Sequence, residues 1–299
     1  MTSDTQTRLA RLLDVRVREP QRVAELAAAR RRPDSLVGQT GRLLLVAADH
    51  PARNAFSVRG EAMAMGDRGE LLERLAVALS RPGVDGVLGT ADVLEDLLLC
   101  GALDGKVVIA SMNRGGLAGA AFELDDRFTG YDADAVAAAG FDGGKLLTRI
   151  DLADPATVTT LEASAQAVSA LAGHRLMAMV EPFLSRRVDG RVRNDLSTEA
   201  VVRSVGIASA LGTTSAYTWL KLPVVDGMDT VMAATTLPTL LLGGDPDESP
   251  EETYGVWEKA LALPGVRGLV VGRTLLYPPD GDVAAAVDVA ARLVHGEAA

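Results

Sequence analysis

The chain has 299 residues, with 30 Lys and Arg against 40 Asp and Glu, a formal net charge of −10. This acidic balance, without a basic run or alternating basic and aromatic residues, argues against nucleic acid as a partner. The single cysteine, Cys100, excludes an intramolecular disulfide framework and a cysteine metal cluster, and a reducing cytoplasm is the expected compartment. No apolar run nears the roughly 20 residues of a membrane span.

The first 34 residues interleave arginines and acids without an apolar signal core, and read as a solvated helix. Short apolar runs follow at 43–48, 84–89, 107–111, 144–150, 175–181, 216–222, 239–244 and 268–273. Each is short enough for a strand and continuous enough to be buried on both faces. Helical spacing marks 69–80, 91–99, 132–139, 157–172, 252–261 and 281–294, with a two-turn helix near 226–234. The helix over 196–212 opens on Ser197 or Thr198 as its cap and closes at Gly212.

Eight strands alternating with helices predict an α/β fold, a closed (β/α)8 TIM barrel with an extra N-terminal helix. A doubly wound open sheet is the competing arrangement. No linker interrupts the pattern, so 1–299 reads as a single domain with 1–40 as a helical extension. The longest loop, 113–131, follows the third strand, where it would cover the barrel mouth or form a plain surface insertion.

Only four basic residues are lysines: Lys106, Lys145, Lys221 and Lys259. The Ala-, Gly-, Val-, Asp- and Arg-rich composition looks like that of a GC-rich genome, in which surface lysines drift to arginine. A lysine kept inside the strand "AYTWLKLP" therefore asks for an explanation in its amine. Tyr217, Trp219 and Lys221 share one face of that strand, and Leu220 and Leu222 the other.

Catalytic groups of a barrel sit at the C-terminal strand ends. Read in order, those ends offer Asp49 and His50, Lys145 with Arg149, Glu181 before a proline, Lys221 before Pro223, Gly243 and Gly244, then Gly272 and Arg273. Each has a bland alternative: an ion-pair partner, a solvated carboxylate ending a strand, or a glycine that a tight turn requires. His174 and His295 read as surface residues. Together the set suits Schiff-base chemistry, with Lys221 as the amine. An amine attacks a carbonyl only when neutral, a state favoured by burial and by a nearby ammonium such as Lys145. Glu181 suits proton transfer at an aldol hydroxyl, and Asp49 can balance the charge of Lys145. Gly243, Gly244, Gly272 and Arg273 suit a phosphate.

The three histidines lie far apart, no G-x-S-x-G elbow occurs, and no P-loop or G-x-G-x-x-G follows the first strand. No cofactor and no metal are expected, although a carboxylate-held Mg²⁺ stays open.

At this point "FDGGKLLTRIDLAD", "MVEPFL", "WLKLP", "LLVAADHP", "LLGGDPDES" and "GLVVGRTLLYP" resemble segments of class I aldolases of the tagatose-bisphosphate and archaeal fructose-bisphosphate type. The resemblance spans most of residues 43 to 278. It implies Lys221 as the Schiff-base residue, assisted by Lys145, Glu181 and Asp49, with His50, Arg149, Gly243, Gly244, Gly272 and Arg273 on the substrate. His50 and the acidic turn "GGDPDE" depart from the bisphosphate enzymes.

More narrowly, the chain resembles an actinobacterial aldolase-like group associated with myo-inositol catabolism. The implied reaction cleaves 6-phospho-5-dehydro-2-deoxy-D-gluconate to dihydroxyacetone phosphate and malonate semialdehyde. An acid substrate asks for a second cationic anchor, with Arg53, Arg114, Arg149 and Arg187 as candidates. Competing expectations are a deoxyribose-phosphate-type or transaldolase-like enzyme, and a non-catalytic sugar-phosphate-binding barrel. The expected partner is a small sugar phosphate, with no nucleic acid and no membrane; a homo-oligomer is left open.

Overall fold

The computed structural model describes residues 3–244, 247 and 249–296. Its strands are β1 (Leu43–Ala47), β2 (Gly86–Gly89), β3 (Val107–Ser111), β4 (Gly143–Ile150), β5 (Met177–Val188), β6 (Arg191–Asn194), β7 (Thr218–Leu222), β8 (Thr239–Leu242) and β9 (Val266–Val271). All but β6 run parallel, in the order β4-β3-β2-β1-β9-β8-β7-β5, and a direct β4–β5 pairing closes the ring. The protein is thus a (β/α)8 TIM barrel. The open doubly wound sheet is excluded, because it would leave β4 and β5 as edges.

The period of two along each strand separates two apolar layers. Leu43, Leu45, Val107, Ile109, Met177 and Met179 pack inside the barrel. Their neighbours Leu44, Val46, Val108, Ala178 and Val180 face the helices. Leu220 and Leu222 join this outer layer, while Trp219 packs on the inner one. Lys221 must therefore point inward.

The helices are α1 (Ser3–Arg18), α2 (Arg22–Ala29), α3 (Arg68–Ser80), α4 (Ala91–Leu99), α5 (Ala133–Ala138), α6 (Thr157–Gly173), α7 (Thr198–Ser209), α8 (Met228–Ala233), α9 (Pro250–Leu261), α10 (Arg273–Leu276) and α11 (Val283–His295). Two helices, not one, precede β1; they divide near Pro20, which lacks an N–H to continue a helix. Arg16 ties α1 to Glu95 at 2.9 Å and Asp96 at 2.8 Å. Buried Arg30 donates to the carbonyls of Lys106 and Gly140, both at 2.7 Å, and pins α2 under the barrel. Ser197, not Thr198, caps α7 by accepting from the Ala200 N–H. Among the described residues no helix is long and apolar enough to cross a membrane.

One boundary differs in a way that matters for the mouth. The fifth barrel strand was expected to stop at Glu181. Pro182 withholds one N–H, yet the register with β4 continues to the Ile150–Leu184 pair. β5 then turns through Asp189 (φ 49°) and Gly190 (φ 76°) into antiparallel β6. Two successive positive φ values are those of a tight hairpin turn, and Asp-Gly is its sequence signal. Glu181 therefore sits within a long strand instead of at its end.

Candidate active site

Strand periodicity brings the inward residues to one mouth. Asp49 continues the inward series of Leu43, Leu45 and Ala47 just past β1. Glu181 continues that of Met177 and Met179. The β5–β7 register, Val180 opposite Leu220, places Glu181 beside Lys221. Lys145 lies opposite Met179, a layer lower, and its long side chain reaches up to the same carboxylate.

The result is a buried chain of charges. Lys221 Nζ lies 2.9 Å from Glu181 Oε1, and Lys145 Nζ contacts Glu181 Oε2. Lys145 Nζ is also 3.6 Å from Asp49 Oδ2. Asp49 accepts from Ser111 Oγ at 3.1 Å and contacts the Arg114 guanidinium. Lys145 is 1% exposed and Lys221 5%, so the second amine is the more accessible of two deeply buried ones.

Burial works against ionisation of Glu181, but the charges of Lys145 and Lys221 outweigh it and hold its carboxyl well below the usual range. Burial, then the Arg114 guanidinium, push the Lys145 amine well below its ordinary value. Burial likewise pulls Arg114 down to about 10. His50 is pushed well below 6.5 by burial and by Arg273 and Lys221, so its imidazole is neutral at pH 7. Among the described residues its Nδ1 is buried without a hydrogen-bond partner.

These groups line a cavity of about 200 Å³ at the C-terminal ends of the strands. Asp49, His50, Lys145, Glu181 and Lys221 reach it from one side, and Gly243, Gly244, Gly272 and Arg273 from the ends of β8 and β9. The glycines have steric reasons. A Cβ on Gly272 would lie 2.5 Å from His50 Cε1 and 2.6 Å from the Ala47 carbonyl oxygen. One on Gly243 would lie 2.6 Å from Val271 Cγ1, and Gly244 has φ +73°. Of the acidic turn beyond them, Asp245, Pro246 and Glu248 lie outside the described residues.

Arg149 stands apart from this cavity. It is 2% exposed, and its guanidinium donates to Asp126 Oδ2 at 2.8 Å and Oδ1 at 2.5 Å, and to the Glu123 carbonyl. Glu123 Oε1 lies 3.5 Å from its Nη1. The substrate-facing placement expected for Arg149 is corrected: past the end of its inward series, the side chain anchors the loop after β3. That loop is a cover, not a plain insertion. Ala118 N donates to the Arg53 carbonyl at 2.8 Å, and Arg187 reaches the Ala121 carbonyl at 2.9 Å, so the loop spans from the β1 end to the β5–β6 hairpin.

His174 pairs with Asp134 at 2.7 Å and His295 with Asp85 at 3.0 Å, both away from the mouth. The His295 side chain is only 8% exposed, so the surface placement expected for it is also corrected. Among the described residues no group of three or more His, Cys, Asp or Glu side chains gathers as a metal site.

Sequence reasoning missed Ser111 and Asn194. Ser111 follows Val107 and Ile109 at the inward period, so its place was legible. Asn194 lines the cavity from β6 and pairs with Ser185 at 2.8 Å, and only the Asp-Gly turn signalled that hairpin. Arg53 and Arg114, weighed only as anchors for a substrate acid, both line the cavity, and Arg187 does not.

Comparison with solved structures gives the same architecture at two distances. A crystal structure of Cgl0159 from Corynebacterium glutamicum (Brevibacterium flavum) is 56% identical, with a TM-score of 0.94, covering 99% of this chain and 98% of that chain. An archaeal fructose 1,6-bisphosphate aldolase is 18% identical, with a TM-score of 0.65, covering 92% and 99%. A Schiff-base-forming fructose-1,6-bisphosphate aldolase, also 18% identical, has a TM-score of 0.63 and covers 91% and 99%. At that identity the likeness to the aldolases is one of fold. No curated protein matches the chain. The Cgl0159-like family model matches residues 41–291, and the chain belongs to that family.

Proposed function

We propose that the protein is a class I aldolase-type lyase that cleaves a phosphorylated keto-sugar or sugar acid through a Schiff base on Lys221. The observation that carries this reading is the pair of buried lysines sharing one ionised carboxylate, Glu181, inside a barrel mouth. An ion pair kept for stability alone needs one amine per carboxylate, and burying a second cation costs several kcal/mol. Two amines on one carboxylate are explained when one of them must be neutral to react.

In this mechanism the neutral Lys221 amine adds to the substrate ketone, and loss of water leaves an iminium. Glu181, ionised, takes the proton from the substrate hydroxyl as the carbon–carbon bond breaks. The bond's electrons move to the iminium nitrogen, giving an enamine, and the aldehyde departs. Glu181 returns the proton to the enamine carbon, and water releases the second product and regenerates the amine. Lys145, bound to Glu181 and Asp49, orients the carboxylate beside Lys221, and solvent takes the proton that Lys221 gives up before attack and returns it as the carbinolamine loses water. Asp49, held by Ser111 and Arg114, keeps Lys145 in place. Gly243, Gly244, Gly272 and Arg273 hold the phosphate.

The finer reading is cleavage of 6-phospho-5-dehydro-2-deoxy-D-gluconate to dihydroxyacetone phosphate and malonate semialdehyde, supported by the sequence resemblance described above. Borohydride reduction in the presence of dihydroxyacetone phosphate, followed by peptide mapping, tests the mechanism. An adduct on Lys221 is expected. One on Lys145 reverses the roles of the lysines. Absence of any adduct, with the ligand bound, overturns the Schiff base. Acetaldehyde as a rival donor separates the deoxyribose-phosphate type.

A further inference from the structure

Arg53 lies in the short 3-10 turn after β1, Pro51–Arg53, and lines the cavity. Its cationic neighbours in that cavity are all engaged. Arg114 contacts Asp49, both lysines contact Glu181, and Arg273 donates to the Ser57 carbonyl at 3.2 Å. Among the described residues the Arg53 guanidinium makes no hydrogen bond and no ion pair. Burial is the largest influence on it, followed by repulsion from Arg149, with Asp126, Glu181 and Glu123 acting only at longer range. Arg53 is half-buried, and an unpaired guanidinium that faces a cavity among other cations is relieved by an anion.

Its position indicates which part of a ligand it meets. The largest charge effects on Arg53 come from β4, β5 and the loop after β3, and its carbonyl is held by Ala118 of that loop. In the ring order, β3 and β4 lie across from β8 and β9, which carry Gly243, Gly244, Gly272 and Arg273. Lys221 and Glu181 lie between the two. The Arg53 side chain thus faces the wall of the cavity away from the glycine-bearing strand ends, with the reacting amine on the wall between them.

The make-up of each end indicates what the second anion is. Arg53 offers one guanidinium, whereas the phosphate end has Gly243, Gly244, Gly272 and Arg273. A carboxylate, with one charge and two oxygens, matches the fork of a single guanidinium, and a second phosphate asks for more donors than this end supplies.

We propose that Arg53 binds a carboxylate at the substrate end opposite the phosphate, and so selects sugar-acid phosphates over their neutral counterparts. The inference rests on the phosphate placement of the proposed function but not on its Schiff base. The matched probes 6-phosphogluconate and glucitol 6-phosphate differ at one end by a carboxylate against a hydroxymethyl group, and neither has a ketone or aldehyde to react with lysine. Calorimetric titration of the whole chain is expected to give 6-phosphogluconate a Kd lower by about 10- to 100-fold, the range of a charged hydrogen-bonded pair.

In Arg53→Ala the ratio of the two Kd values is expected to fall towards one, and in Arg53→Lys to remain intermediate. Because the readout is a ratio within each variant, a partly folded sample does not mimic it. An unchanged ratio in Arg53→Ala, or equal Kd values in the wild type, overturns the inference. So does tighter binding of glucitol 1,6-bisphosphate than of 6-phosphogluconate, which would make the second site a phosphate site. Loss of the borohydride adduct with the Kd ratio intact would sink the lysine chemistry and leave the role of Arg53 standing.

Discussion

Two buried charge clusters lie near each other at the C-terminal end of the barrel, and they are built on opposite terms. In the first, one cation meets two carboxylates: Arg149 is held by Asp126 and Glu123, with carbonyls taking further N–H groups. In the second, Lys145, Lys221 and Arg114 crowd two carboxylates, Glu181 and Asp49, and open onto a cavity. A rigid guanidinium whose fork is saturated by its own chain has nothing left for a ligand. Cations in excess of carboxylates are under-compensated, and that imbalance is what a reacting carbonyl and an anionic substrate resolve. The contrast teaches that the ratio and saturation of buried charges, more than burial itself, separate a clamp from a reactive site.

The sharpest test of that contrast is Lys221→Met. It removes the nucleophile while keeping an unbranched side chain, so turnover is expected to fall by about 10⁴-fold or more, with the borohydride adduct lost. Retention of full aldol cleavage would break the assignment. Glu181→Gln comes next. Loss of the proton-transfer group should lower kcat by roughly 10² to 10⁴-fold, measured under saturating substrate.

The same variant has a pH signature. The folded-state pKa of Glu181 lies below its ordinary 4.5, so its ion pairs contribute stability that is present above about 4.5 and lost as pH falls towards the lowered value. Urea unfolding measured from pH 6 down to 3 should therefore show a shallower decline in Glu181→Gln than in the wild type.

Arg149→Met addresses the other cluster. Leaving Asp126 and Glu123 buried without their cation should cost about 3–5 kcal/mol of stability, seen as a lower urea midpoint. The adduct at Lys221 should still form in the folded fraction. A variant with unchanged stability and abolished ligand binding would instead place Arg149 in the site. The smallest effect is expected from Gly244→Ala. Its φ of +73° disfavours a Cβ, at about 1 kcal/mol, read as a small drop in melting temperature.

Much of the site was legible before folding because inward strand residues obey a period of two. Asp49, Lys145, Glu181 and Lys221 all follow from alternation within apolar runs, and the scarcity of lysine drew attention to two of them. Arg149 shows where that rule ends. It falls in the same strand at the same period as Lys145, but near the top of the barrel the side chain is free to turn towards a loop, and the carboxylates of that loop claimed it. The continuation of β5 past Pro182 was hidden because a proline signals a strand end locally, whereas the remaining ladder bonds and the Asp189–Gly190 turn sustain the strand.

The sequence by itself determined the barrel and the inward direction of its lysines, since both depend on short-range alternation of apolar residues and on strand length. Only the tertiary structure decided how the charges are shared: that Glu181 bridges two amines, that Asp49 is held by Arg114, that Arg149 is spent on a loop and that Arg53 is left unpaired among the described residues. Those outcomes depend on side chains from separate loops meeting at one mouth, and no period along the chain encodes such meetings.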